Sequence, residues 1–352
     1  MFIYILVGAI IIWGLVDGKN KYIYQLSLIV LFFMSAMRNP SLGGTDSYYY
    51  QEFYNLVPTL GGLFSFDSYY AAGYTFINSF SKTFCDSYVF YQAIYAALTI
   101  FLLYIVLELT DMSQSEKCMV LFAYFCYRFI WNSWVLYRQN IANLLFWAAL
   151  LISYRTSLNW KRLIIQLVGV LAGGLFHSSA IANIPILIFM FLFSKQTENK
   201  QFIFTISFSL FLFIFSDMLF EIILNVMEAI DDRYSMYHQS LGGINKINYL
   251  LRMGLYVIFY YLCRDVEVNN RNLVMNSLSI MVLIGSINVE IVTRMYEYYA
   301  IGLYIAMGYI PFHFPEKIRK LGFCMFILML VVIFIRFVLV TDNGLYMHYS
   351  FV

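Results

Sequence analysis

Charged residues are scarce in this chain: Asp, Glu, Lys and Arg supply 12% of its 352 residues, against 62% apolar ones, and the mean hydropathy is +0.73. No water-soluble core hides that much apolar surface, so the balance excludes a soluble domain and points to an integral membrane protein. The alternation of polar and apolar residues that marks a transmembrane β-barrel is missing as well. Runs such as Leu145 to Ile152 and Met325 to Phe334 are apolar on every face, which predicts helices. Cysteine offers no framework: Cys85, Cys118, Cys126, Cys263 and Cys324 are scattered and odd in number, with neither metal-binding nor disulfide spacing. Basic charge is not in excess either, the net charge being +2, which removes nucleic acid as a partner. No acidic cluster favours Mg2+ or Mn2+ and no His and Cys set favours zinc, so the expected chemistry needs no metal and no cofactor.

What remains is an all-α, polytopic helical membrane protein. A bilayer takes roughly 20 mostly apolar residues per helix. Spans are predicted near 2–17, 21–37, 88–110, 117–133, 137–154, 162–176, 178–194, 201–224, 247–263, 272–289, 295–311 and 321–340, about 12 transmembrane helices in a single domain over 1–352. Short or broken helices are expected within 117–154 and 162–194, where polar residues interrupt long apolar stretches. The first segment has no basic residue before it and no small-residue cleavage site after it, so it reads as a retained span with its N-terminus outside. That orientation puts 13 of the 22 Lys and Arg into cytoplasmic turns, as the positive-inside rule requires. The other nine are Arg38, Lys82, Arg128, Arg138, Arg233, Lys246, Arg252, Arg294 and Arg336, at the outer side or within spans, and most run against the rule. Two outer loops are long enough to hold structure, 38–87 and 225–246; the first carries a short apolar piece, Tyr69 to Phe80, expected as a re-entrant or interfacial helix. No repeat, low-complexity segment or appended soluble domain is visible.

Four places carry polar chemistry. Arg38 opens a segment through Gly43-Gly44-Thr45-Asp46 to Tyr48-Tyr49-Tyr50 and Phe53, a cation and a carboxylate joined by a flexible turn. Arg38 and the glycine amides suit an anion and Asp46 a sugar hydroxyl or a base; an Arg38–Asp46 ion pair closing the loop is the plainer alternative. Arg138-Gln139-Asn140 starts a span, and an outer-side arginine fork there suits a phosphate, where simple snorkelling is the competing account. His177, between Gly173-Gly174 and Ser178-Ser179, fits a proton acceptor at membrane depth or a helix-packing histidine. Glu290, Arg294 and Glu297 share one helical face, either neutralising one another or presenting Arg294 as a second phosphate clamp. On this topology Arg38, Asp46, Arg138, His177 and Arg294 all face outward, which favours an anionic lipid-linked substrate whose tail stays in the bilayer.

At these residues the sequence resembles the EpsG-like branch of the Wzy-type polysaccharide polymerases, bacterial membrane glycosyltransferases. The likeness rests on Arg38 with Gly43-Gly44-Thr45-Asp46, Tyr50 and Phe53; on Gly73-Tyr74; on Arg138-Gln139-Asn140-Ile141-Ala142; on Phe176-His177-Ser178-Ser179-Ala180; and on Arg294 near Tyr298-Tyr299. Ala71 and Ala72 stand where that family often has an acidic residue before the glycine. The resemblance implies a GT-C-like helical fold in the bacterial inner membrane with its site facing the periplasm. It implies polymerisation of undecaprenyl-pyrophosphate-linked oligosaccharide units, donor and acceptor alike, into O-antigen or capsule-type chains, with inversion at the anomeric carbon and a chain-length regulator as a further partner. On that reading His177 or Asp46 is the base, Arg138, Arg294 and Arg38 bind pyrophosphate, and Gln139, Tyr50 and Glu290 touch the rest of the substrate. Rival readings are a flippase or transporter of the same lipid-linked saccharide, an O-antigen ligase and a membrane acyltransferase. No second copy of the Arg38 to Asp46 pattern is present, which weighs against a transporter built from paired halves.

Overall fold

The computed structural model describes residues 2–18, 20–44, 46–156, 159–215, 246–286 and 295–351, with the isolated helical positions 218, 221, 222, 225 and 228. Among them the chain is helical throughout, apart from one isolated antiparallel bridge between Arg38 and Phe351. The N-terminal pair α1 (Phe2–Asp17) and α2 (Lys21–Ala36) is followed by two helices of the first long loop, α3 (Asp46–Leu56) and α4 (Ala72–Phe84). Then come α5 (Tyr88–Glu108), α6 (Gln114–Tyr124), α7 (Tyr137–Tyr154), α8 (Asn159–Gly174), α9 (Ile184–Phe193) and α10 (Glu198–Ile214). The chain closes with α11 (Lys246–Leu262), α12 (Val268–Ser286), α13 (Ala300–Tyr309) and α14 (Arg319–Val340). Helices α5 and α14 are long and apolar enough to cross a membrane, and α1, α2, Ser178–Phe193 and Tyr249–Leu262 are shorter apolar helices.

Apolar side chains lie on the outside of the helices as well as in the core. Leu321, Met325, Leu328, Val332 and Leu339 of α14 and Phe2, Ile5, Trp13 and Val16 of α1 are exposed. The interior is mostly apolar and aromatic, and it also holds Asn140, Asn143, Ser153, Asn276, Ser277 and Ser279. A chain surrounded by lipid keeps its polar side chains for its own interior and turns leucine outward. Helix α12 is enclosed from Asn270 to Ser286 except at Asn272. Its Asn270 amide donates to Tyr309 Oη at 3.0 Å.

Small residues set the closest approaches. A Cβ on Gly169 of α8 would stand 2.3 Å from Ala149 Cβ of α7, and one on Gly173 would stand 3.2 Å from the Ala142 carbonyl. Likewise Gly302 of α13 lies against Ser277 of α12. In lipid, where the hydrophobic effect between helices is lost, such backbone proximity supplies the packing energy.

The first loop departs from the flexible turn that its glycines predict. Asn39 Oδ1 accepts from Ser41 N at 3.1 Å and caps a 3-10 turn, Pro40–Gly43, and Gly44 takes the positive φ of 64° that turns the chain into α3. Asp46 therefore begins a helix, where its charge favours the N-terminal dipole. The expected short helix starts at Ala72, because Ser68 Oγ bonds both Tyr70 and Thr75 Oγ1 and holds the preceding residues in a turn. Lys82 Nζ, among the outward basic residues, reaches the Asn55 carbonyl at 2.9 Å and covers the end of α3. Replacing Gly169 by Val forces α7 and α8 apart and is expected to destabilise the protein by about 1–3 kcal/mol, seen as a lowered unfolding temperature in detergent. Gly61→Ala, where a new Cβ meets nothing within 4 Å, leaves it unchanged.

Candidate functional site

Helix α6 does not stop cleanly. It continues through two π-helical turns, Phe125–Phe129 and Trp131–Val135, before Leu136 (φ −101°, ψ 32°) redirects the chain into α7. Leu136 N reaches back to Trp131 O, so the carbonyls of Trp134 and Val135 are taken up by side chains from the first loop. Arg38 Nη2 donates to Trp134 O at 3.4 Å and Tyr50 Oη to Val135 O at 3.0 Å. Three residues beyond Val135, Arg138 enters an aromatic cage: its guanidinium carbon lies 4.1 Å from the Tyr70 ring centroid, 5.0 Å from Tyr74 and 5.4 Å from Tyr50. Behind them Tyr91 Oη bonds Tyr74 Oη at 3.1 Å and Tyr137 Oη at 2.9 Å, which fixes the cage wall. Among the described residues no carboxylate forms an ion pair with Arg138, and its buried Nε has no hydrogen-bond partner. Burial first, then the neighbouring Tyr69 and, least, the Asp46 charge hold the Tyr70 phenol above its ordinary pKa against the pull of Arg138. Tyr70 therefore remains a neutral donor at physiological pH.

The histidine segment joins the cage through backbone. Gly73 N and Tyr74 N, at the start of α4, donate to Leu175 O at 2.7 and 3.3 Å. A Cβ on Gly73 would stand 2.8 Å from that oxygen, so only glycine permits the approach. Two residues later His177 Nδ1 lies 2.6 Å from Ser179 Oγ, which is 3.0 Å from Tyr298 Oη. Trp147 Nε1 donates to the Tyr298 carbonyl at 3.0 Å, tying this chain to α7.

A second basic cluster lies beyond Tyr298. Arg128 Nε is 3.2 Å from Glu297 Oε1 and Arg128 Nη2 donates to Tyr296 Oη at 3.1 Å. The Arg252 guanidinium stacks 3.8 Å from the Tyr296 centroid and donates to Tyr127 Oη at 3.3 Å. An apolar groove of about 550 Å3, lined by Leu60, Leu63, Phe64, Phe66 and Phe76, opens at Tyr70, the ring closest to Arg138.

Comparison with protein families matches residues 21–351 to the EpsG family. The chain belongs to the EpsG family. Membership implies a part in exopolysaccharide biosynthesis and a location in the membrane. Comparison with curated proteins and with solved structures finds no match.

In this EpsG-family chain Tyr50 and Arg138 come together in the cage, Asp46 acts on Tyr50 through its charge from one turn earlier in α3, and His177 follows two residues after Leu175, which bonds Gly73. Gln139 is buried in the first turn of α7. Arg38 is buried behind the cage, its Nη1 on Ser35 O at 2.7 Å and its Nη2 on Trp134 O, so its guanidinium serves the backbone and not an ion pair with Asp46. Glu290 and Arg294 lie outside the described residues, as does most of the 225–246 loop. Glu297, on whose helical face Arg294 was the expected partner, meets Arg128. The meeting of Arg128 and Arg252 around Tyr296 is not visible in the sequence; both belong to the nine basic residues at the outer side or within spans, most of which run against the charge rule, and that is the available signal. Among the described residues no set of three or more His, Cys, Asp or Glu gathers as metal ligands. Gly73→Val is expected to push α4 off Leu175 and raise amide hydrogen exchange across residues 72–84 at least tenfold, a loss of roughly 1.4 kcal/mol of local stability.

Proposed function

We propose that this chain is a membrane glycosyltransferase that joins undecaprenyl-pyrophosphate-linked oligosaccharide repeat units into an O-antigen or capsule-type polysaccharide. In this reading about 12 helices span the bacterial inner membrane. With the N-terminus outside, α3, α4, Arg138 and His177 face the periplasm, at the outer leaflet. The observation that carries the proposal is Arg138: a guanidinium met by tyrosine faces and not by a carboxylate, with an unpartnered Nε, beside an apolar groove. Aromatic faces stabilise a cation without neutralising it, which leaves its charge for an incoming anion. Cation and groove together suit a ligand that is a pyrophosphate at one end and a hydrocarbon at the other.

A hydroxyl of the incoming unit attacks the anomeric carbon of the growing chain, the new glycosidic bond forms on the opposite face, and the bond to the carrier pyrophosphate breaks with inversion. Negative charge grows on the departing pyrophosphate, where Arg138, with Arg294, stabilises it more than in the ground state. The hydroxyl proton passes to His177 or to Asp46. Ser179 and Tyr298 orient the His177 ring, and Asp46 sits one helical turn from Tyr50 at the cage. Arg38 serves by holding the Trp134 carbonyl and hence the turn that delivers Arg138. Tyr50, Gln139 and Glu290 are assigned to the saccharide side. No external nucleotide sugar and no metal enters this scheme, and a chain-length regulator is its proposed protein partner.

The test is turnover of the purified chain in nanodiscs with its own lipid-linked repeat unit. A ladder of longer lipid-linked glycans is expected from the parent. Arg138→Ala is expected to lower the rate by roughly 100-fold or more, the scale of a lost charge-stabilising donor, and His177→Ala by about 100-fold or more if it is the base, both with unchanged unfolding temperature. A folded parent that binds the lipid-linked unit and builds no ladder overturns the polymerase in favour of transport, ligation or acyl transfer.

A further inference from the structure

Around Tyr296 two guanidinium groups gather, and one carboxylate, Glu297, pairs with Arg128. Arg252 is 4% exposed, its Nε has no hydrogen-bond partner, and neither Glu297 oxygen accepts a hydrogen bond although Arg128 Nε stands 3.2 Å from one of them. Among the described residues no second carboxylate pairs with either arginine. Room is made for the cluster: a Cβ on Gly285 would stand 3.2 Å from Arg252 Nη1, so glycine leaves that side of the fork uncrowded. Arg128 is the more open of the pair, with 26% of its side chain exposed. Burying an excess positive charge with unused donors is costly unless an anion completes it. Two planar forks converging from different helices match the oxygens of a phosphate group.

We infer that Arg128 and Arg252 form a second anion site, separate from Arg138, that binds a phosphate or pyrophosphate group, with Glu297 as the internal counter-ion the ligand displaces or works against. The two sites flank the histidine: the cage reaches it through Gly73 and Leu175, the second cluster through Tyr298 and Ser179. Tyr296 and Tyr127, which hold Arg252 by a ring face and a hydroxyl, fix the direction of that fork. The inference concerns binding and stands whether or not the chain transfers sugars.

The test uses the full chain in nanodiscs, with farnesyl pyrophosphate and inorganic pyrophosphate as probes, and needs no turnover. In an Arg138→Gln background, binding is expected to persist, and adding Arg128→Gln or Arg252→Gln is expected to weaken it roughly tenfold or more, the scale of a lost charge-assisted hydrogen bond. Glu297→Gln supplies a readout that general damage does not give. It removes the counter-ion, so the variant unfolds at lower temperature without ligand and gains more stability from pyrophosphate than the parent does. Preference for farnesyl pyrophosphate identifies a lipid headgroup and equal binding of inorganic pyrophosphate a free anion; either upholds the site. Loss of all binding with Arg138→Gln in folded protein, or affinities unmoved by Arg128→Gln and Arg252→Gln together with no extra gain in Glu297→Gln, reduces the cluster to a structural ion pair and overturns the inference.

Discussion

Where the π-helical turn Trp131–Val135 gives way to α7, two carbonyls lose their partners along the helix, and much of the candidate site is the answer to that deficit. Buried carbonyls must be paired. Arg38 takes the first and Tyr50 the second, so the end of α2 and the whole of α3 are drawn onto the break. The C-terminal segment closes over the same place: Asn39 N donates to Ser350 O at 2.9 Å and Tyr349 Oη to Met34 O at 2.9 Å. Trp134 reinforces it, its Nε1 on Ser35 Oγ and its ring under the Arg38 guanidinium. With the turn fixed from three directions, Arg138 has a defined exit into the tyrosine cage. Departures from α-helical geometry often mark functional positions, and here the departure has an identifiable structural consequence.

The two arginine clusters solve the same problem by different chemistry. At Arg138 the charge is met by quadrupoles of three tyrosines, an attraction that leaves the net charge intact. At Arg128 and Arg252 a carboxylate neutralises half of it. Basic residues at the opposite helix ends are handled more conventionally: Lys117 pairs with Glu108, Arg155 with Asp111 and Arg271 with Glu198. The contrast is between basic side chains neutralised by a carboxylate and basic side chains left with more charge than their neighbours cancel.

Helix positions were legible because long apolar runs leave little choice; the ends of α1, α2, α5 and α7 fall within two residues of the sequence expectation. The broken character of 117–154 was visible as polar residues in apolar stretches, though not that the break would be π-helical. Order in the Arg38 to Asp46 segment was not legible, since glycine composition reports freedom and not the Asn39 cap or the carbonyls that use the loop up. Arg38, Asp46, Arg138, His177 and Arg294 were grouped by sequence only through their shared depth, and of these Arg138 lies in the tyrosine cage while Arg38 holds the turn behind it. Arg128, Arg252 and Tyr296 could not be grouped, because they come from three helical segments separated by more than 100 residues of chain at the Arg128 to Arg252 step, and only tertiary packing joins them. Nothing in the sequence linked His177 to Tyr298 either, which needed the meeting of α7 with the start of α13.

A last regularity bears on access. Among the described residues, the candidate segments lie at helix interruptions: the 3-10 turn Pro40–Gly43, the π-helical stretch ending at Val135, the 3-10 turn Ser178–Asn183 after His177, and the 3-10 turn Glu297–Tyr299. Irregular backbone within a bilayer survives only where protein buries it or water reaches it. Side chains satisfy part of the need here, as Arg38 and Tyr50 do, but Arg138 Nε, Arg252 Nε and the Glu297 oxygens are left over. At the cage the leftover Arg138 donor stands next to Tyr70, the ring at which an almost wholly apolar groove opens, so an interface between charged and apolar surface lies there. A ligand charged at one end and greasy at the other is the kind that such an interface can hold by both ends at once.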